Sequence, residues 1–93
     1  MELEIITPER RIFEGKAKAV QLPGKDGLFQ MLDDHAPLIA ALGSGRIKVE
    51  LDQAFVRGEN TPLQLVSEGK LLFLEIKGGV VEMNANKAIV LVS

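Results

Sequence analysis

Apolar and polar positions alternate along much of the chain with a period of two. Arg46-Ile47-Lys48-Val49-Glu50-Leu51 puts Ile47, Val49 and Leu51 on one face and Arg46, Lys48 and Glu50 on the other, which predicts a half-buried strand. Glu2-Leu3-Glu4-Ile5 repeats the pattern. Ala88-Ile89-Val90-Leu91-Val92 is continuously apolar and rich in β-branched residues, which predicts a strand covered on both faces. Lys16 to Leu22 alternates up to Ala19 and then changes phase at Val20, a shift that a β-bulge would absorb. Glycine and proline interrupt the sequence so often that a helix of average length, about 11 to 12 residues, hardly fits between them. Thr7-Pro8-Glu9-Arg10 has proline at the second turn position, and Asn84-Ala85-Asn86-Lys87 offers residues that tolerate a left-handed backbone. Short strands joined by tight turns predict an all-β sandwich or barrel. Asp52 to Ser67 is less regular: Asp52-Gln53 could turn a hairpin, Gly58 to Pro62 reads as a loop, and the pairing of this stretch stays open.

Length and composition narrow the function classes. Ninety-three residues, 46% hydrophobic and 26% charged, fit one globular domain spanning 1–93. Such a chain buries only about 60 to 65% of its unfolded surface, leaving little material for a deep cleft. Eleven Lys and Arg against thirteen Asp and Glu give a net charge of -2, which argues against a duplex-DNA or anionic-membrane surface. With no Trp, no Tyr and four Phe, the chain lacks a stacking platform for single-stranded nucleic acid. The absence of cysteine excludes a disulfide framework, a thiolate zinc site and a cysteine nucleophile. Glu2 and Glu4 stand where a secretion leader would carry positive charge, so no signal peptide is expected. Leu71–Ile76 and Ala88–Val92 are far shorter than the roughly 18 to 20 apolar residues that cross a bilayer, so no direct membrane insertion is expected.

Candidate chemistry is sparse. Asp33-Asp34-His35 holds the only histidine and invites a metal or proton-transfer reading. Neighbours on an extended chain point to opposite faces, so only Asp33 and His35 could converge, and further ligands would have to come from elsewhere. A turn in which a carboxylate accepts backbone N–H groups before Pro37 restarts extended structure is the simpler reading. No Gly-x-Ser-x-Gly elbow surrounds Ser44, Ser67 or Ser93, and no phosphate-binding loop of the Gly-x-x-x-x-Gly-Lys-Ser/Thr type is present. No catalytic, cofactor-binding or metal-binding residue is therefore assigned. From Gly27 to Leu42, however, apolar residues fill a region that reads in part as a loop, so some of Leu28, Phe29, Met31, Leu38 and Ile39 are candidates to face a partner.

That same stretch carries a family pattern. Leu22-Pro23-Gly24-Lys25-Asp26-Gly27-Leu28-Phe29 followed by His35-Ala36-Pro37-Leu38-Ile39-Ala40-Ala41-Leu42 resembles the signature of the epsilon subunit of rotary F-type ATP synthases. The opening Leu3 to Glu9 with Phe13-Glu14-Gly15, and the closing Gly78 to Met83 with Asn86 to Leu91, look like the same family's first and last strands. The resemblance implies a β-sandwich of short, mostly antiparallel strands with a non-catalytic rotor role. It would bind the gamma subunit, dock on the c-ring, and lie peripherally on the cytoplasmic face of a bacterial inner membrane. Carried over by position, Thr7, His35 and Ala40 fall where the family faces gamma, and Leu28, Phe29 and Met31, in a loop from Asp26 to Leu32, where it meets the c-ring.

The chain departs from the family at Gln30, at Asp33-Asp34 and in a longer Asp52 to Leu74 region that reads as an added hairpin. The helical hairpin that family members commonly carry has no counterpart up to Ser93, so regulation by those helices is not expected of this polypeptide. A rival reading is a biotinyl or lipoyl carrier with Lys87 near a hairpin, although the Ala-Met-Lys-Met context of biotinylation is missing.

Overall fold

A computed structural model describes residues 1–93. Ten strands follow one another: β1 (Glu2–Ile6), β2 (Arg11–Lys16), β3 (Ala19–Gly24), β4 (Gly27–Leu32), β5 (Leu38–Leu42), β6 (Gly45–Glu50), β7 (Val66–Glu68), β8 (Leu71–Ile76), β9 (Gly79–Asn84) and β10 (Lys87–Val92). There is no helix. The hydrogen-bonded order is β2-β1-β10-β9-β5-β3-β6-β8-β7, with β4 on the other side of β3. The link between β5 and β3 is a single pair, Gly24 opposite Leu42. About that link the path divides into two halves, β2-β1-β10-β9-β5 and β4-β3-β6-β8-β7. Only β1 and β10 pair in parallel, the remaining pairs being antiparallel.

Alternation explains how the halves meet. Leu3, Ile5, Val81, Met83, Ala88 and Val90 from one and Val20, Leu22, Ile47, Val49, Leu72 and Leu74 from the other join a single buried cluster, and no polar side chain enters it. The strands expected at Arg46–Leu51 and Glu2–Ile5 are present with the expected faces inward.

Two expectations are corrected. The phase change after Ala19 is not a bulge but a break between strands: Ala17 N–H donates to Met1 C=O at 2.9 Å, and Lys18 N–H to Glu50 C=O at 2.8 Å. The chain there leaves one half for the other, and its inward positions reset because its neighbours change. The register irregularity lies instead between Ile5 and Ile6, where β1 pairs with Phe13 and then with Arg11. Ala88–Val92 is also not covered on both faces, since Ala88, Val90 and Val92 point inward while Ile89 is half-buried and Leu91 is 49% exposed.

Turn chemistry sets the remaining geometry. Thr7 N–H donates to Arg10 C=O at 2.9 Å, and the Thr7 hydroxyl accepts from Arg10 N–H at 3.1 Å, closing the turn that Pro8 begins. At the β9–β10 turn Ala85 and Asn86 have φ of 52° and 57°, the two left-handed residues that match the twist of a tight hairpin. Between Leu51 and Leu65 there is no strand and no Asp52 hairpin; β7 and β8 form a hairpin from Val66 to Ile76, and its second strand pairs with β6 as part of the main strand path.

Candidate interaction surfaces

The chemistry considered for Asp33 and His35 does not assemble. Asp33 Oδ1 accepts from the Met1 α-ammonium and, at 3.3 Å, from Asn86 Nδ2. The first of these, then the second, holds the Asp33 carboxyl below the usual carboxylate range. His35 Nδ1 lies 2.7 Å from Ala36 C=O, within its own loop. Asp34 has φ of 62°, with its N–H donating to Asn86 Oδ1 at 2.8 Å, so the Asp-Asp-His segment is a turn tied to the β9–β10 hairpin. Lys87 pairs with Asn84 in the ladder while Ala85 and Asn86 form the tip, so it does not sit where a hairpin-borne carrier lysine would.

What the molecule does display is apolar surface on sheet faces. On the outer side of the first half, register places Ala41 opposite Val80, Val80 opposite Leu91, and Leu91 opposite Ile6. This row of aliphatic side chains crosses four strands, with Val80 39% and Leu91 49% exposed. Thr7 and Pro8 continue it into a shallow apolar depression with Gly79 and Ser93. One row further along, Ile39 is 74% exposed and pairs with Glu82, which in turn faces Ile89. Contiguous apolar surface of this kind marks interaction sites on small folds.

A second apolar surface lies on β4. The segment expected to be a loop is a strand, paired along its length with β3, and Lys25-Asp26 alone form the turn. Alternation therefore sorts its side chains. Leu28 is 67% and Leu32 54% exposed, Phe29 packs partly against the core, and Met31 is fully buried. Met31 is accordingly corrected from a surface candidate to a core residue, because a strand cannot present neighbouring side chains on one face.

Of the three positions associated with gamma, Thr7 borders the aliphatic row. His35 lies at the opposite end of the same half, beside the Asn84–Lys87 hairpin, and is half-buried. Ala40 faces the core, and its neighbours Ile39 and Ala41 are the ones exposed. Sequence reading did not find Val80 or Leu91, because a continuously apolar strand hides which of its faces is open.

A third exposed group, Val56, Leu63 and Val66, belongs to the Leu51–Leu65 segment and the strand after it. Arg57 organises that segment: Nη1 donates to Leu65 C=O at 2.6 Å and Nη2 to Pro62 C=O at 3.0 Å. Arg10 Nη2 reaches Asn60 C=O at 2.9 Å, and Phe55 meets Phe13 with ring centroids 6.3 Å apart. The side chains that make this anchor are scattered through the sequence in no recognisable motif.

Comparison with known proteins adds independent information. The profile of a family described as "ATP synthase, Delta/Epsilon chain, beta-sandwich domain" matches residues 1–58. The ATP synthase epsilon chain of Chlorobaculum tepidum is 40% identical over 89 residues, covering 96% of this chain and 84% of the relative. That of Chlorobium limicola is 38% identical over 90 residues, covering 97% and 85%. Among solved structures, a chain of the Tetrahymena thermophila mitochondrial ATP synthase central stalk and c-ring superposes with a TM-score of 0.72. It is 16% identical, and the match covers 98% of this chain and 61% of that one, a likeness of fold.

Proposed function

This chain belongs to the ATP synthase delta/epsilon β-sandwich family, and on that premise we propose that it is a rotor part of the central stalk of an F-type ATP synthase. In this reading it binds the gamma subunit, docks on the c-ring, and helps couple proton translocation to ATP synthesis. It lies peripherally on the cytoplasmic face of a bacterial inner membrane. The role is structural and not catalytic. No helix of the molecule is long and apolar enough to cross a membrane.

The observation that carries the proposal is a pair of separate apolar surfaces on one close-packed core. The outer row of Ala41, Val80, Leu91 and Ile6, with Ile39 and Thr7 beside it and His35 at the far end, is the gamma-binding face. Ala40 supports that face from within. Leu28, with Leu32 on the same side of β4 and Phe29 behind it, is the c-ring contact.

Two surfaces suit a coupling part because load enters at one and leaves at the other through a body that must not shear. Face-to-face sheets over a core packed as densely as an organic crystal resist such deformation. Each proton delivers about 2.3 kcal/mol per 100 mV of potential, so the contacts work against energies of that order. Covering an exposed Leu or Ile side chain contributes about 1.5–3 kcal/mol when complete, so a few such residues suffice for each contact.

Co-purification from a coexpressed complex tests this. Leu91→Lys and Ile39→Glu are expected to retain the denaturation midpoint of the parent chain while losing gamma, and Leu28→Glu to retain gamma while losing the c-ring. Full recovery of both partners by all three variants would overturn the assignment of the surfaces.

A further inference from the structure

Open strand edges are templates for pairing with another chain, and folded proteins blunt them with charge, shortness, proline or a cover. Three of the edges here are treated in that way. β2 carries Arg11, Glu14 and Lys16. β7 has only three residues, one of them Glu68. β5 is partly closed, with Gly43 N–H donating to Pro23 C=O at 2.8 Å and Lys25 N–H to Ala41 C=O at 3.1 Å. β4 has none of these protections: Gly-Leu-Phe-Gln-Met-Leu contains no charge and no proline, and its only neighbour is β3.

The register shows which of its backbone groups are free. Pro23 C=O is engaged by Gly43 and so points away from β4, which makes Pro23–Leu28 a non-hydrogen-bonded pair. The N–H and C=O of Leu28 therefore point to the open side. By the same alternation so do those of Gln30, opposite Gln21, and Leu32, opposite Ala19. Leu32 C=O accepts from His35 N–H at 3.1 Å and keeps a second lone pair.

We propose that β4 is a self-pairing edge through which two copies of this chain associate as antiparallel strands centred on Gln30. In this register Gln30 faces Gln30 of the second copy and Leu28 faces Leu32 of the second copy, so every free backbone group of the edge finds a partner. A shift in either direction leaves some of them unpaired. The pairing is isologous, the form a two-fold dimer requires. It sets exposed Leu28 against exposed Leu32 on the outer face, where cross-strand aliphatic pairs are favourable.

The ends oppose it, since Asp26 comes to face Asp34 of the second copy, and like charges across a ladder repel. A six-residue edge about 20 Å long covers only a few hundred Å² per copy, well below the roughly 800 Å² of a standard interface. Association is accordingly weak, with a dissociation constant on the order of 0.1–1 mM, and strengthens with salt as the end charges are screened. The inference needs only the purified chain; the dimer engages Leu28 and Leu32, which the stalk reading gives to the c-ring, so the two associations compete for one surface.

Sedimentation equilibrium of the purified chain up to about 1 mM tests it. The parent chain is expected to dimerise, more strongly at 0.5 M than at about 0.05 M salt. Gln30→Lys opposes two ammonium groups at an exposed position and is expected to weaken the dimer at least tenfold, whereas mixing Gln30→Lys with Gln30→Glu restores it. Because the chain has no cysteine, Gln30→Cys reports the register under mild oxidation. It is expected to form a symmetric disulfide, whereas Leu28→Cys, whose two copies sit about 13 Å apart along the ladder, is not. A parent chain that stays monomeric throughout, a dimer indifferent to Gln30→Lys, or crosslinking through Leu28→Cys in preference to Gln30→Cys would each overturn the proposal.

Discussion

Arg57 holds Leu65 by its carbonyl oxygen, 2.6 Å from Nη1, while the other arm of the same guanidinium reaches Pro62 C=O at 3.0 Å. A planar fork can bridge two carbonyls in this way, and a lysine ammonium cannot reproduce it. Replacing Arg57 by Ala is expected to cost about 1–2 kcal/mol, the upper range for charged hydrogen bonds being reduced by the exposure of the side chain. Limited proteolysis should then cut between Val56 and Leu63 at protease concentrations that leave the parent chain intact, and Arg57→Lys should recover little of the loss.

Gly79 opens β9 opposite Val92 of β10. A Cβ at this position would lie 2.2 Å from Leu91 C=O and 3.1 Å from Val92 Cα, both main-chain atoms that cannot rotate away. Gly79→Ala is expected to destabilise the fold by about 2–4 kcal/mol through backbone displacement, measured by chemical denaturation. Gly69, with open space around its Cβ direction but φ of 60°, should cost only about 1 kcal/mol on the same substitution, the strain of a left-handed alanine.

Met31 and Leu28 lie on the same strand with opposite fates. Met31→Ala should cost about 2–4 kcal/mol, because it opens a cavity among fully buried neighbours. Leu28→Ala should stay within about 0.5 kcal/mol in the isolated chain, since that side chain is largely in water already. A thermal or urea titration of the two variants side by side measures the contrast.

Asp33 gives a pH dependence whose sign follows from its depressed pKa. The carboxylate is favoured in the folded state by the Met1 ammonium and by Asn86, so this stabilisation is present above the ordinary aspartate value of about 3.9. It is lost as the pH falls through the lower folded-state value. Asp33→Asn should therefore be less stable than the parent at pH 6, with the gap closing as the pH is lowered through that window in denaturant titrations.

Much of the architecture is visible in the order of residues wherever one side of a strand meets water. Leu3, Ile5, Ile47 and Val49 are recognisable as core because charged residues separate them. Ala88 to Val92 carries no such contrast, so its open face, and with it Leu91, is defined only by Val80 and Ile6 on the neighbouring strands. Lys16 to Leu22 misleads for a different reason: a chain that changes partners midway produces the same phase slip as an inserted residue. Leu51 to Leu65 is opaque because a guanidinium bound to carbonyl oxygens leaves no periodic trace. Gly27 to Leu42 is apolar enough to mark a contact region, yet only the alternation along β4, with Met31 beside Val20 in the core and Leu28 and Leu32 on the opposite side, separates the residues that can touch a partner from those that cannot.

The junction of Gly24 with Leu42 has a mechanical consequence. Because the strand path does not end at the border of one layer but runs on into the other, a tug on the Lys25-Asp26 tip reaches both layers through peptide groups as well as through side chains. Sliding one layer over the other would have to tear main-chain bonds at that seam, so the seam works as a rivet, and twisting the body as a unit is easier than letting its plates slip.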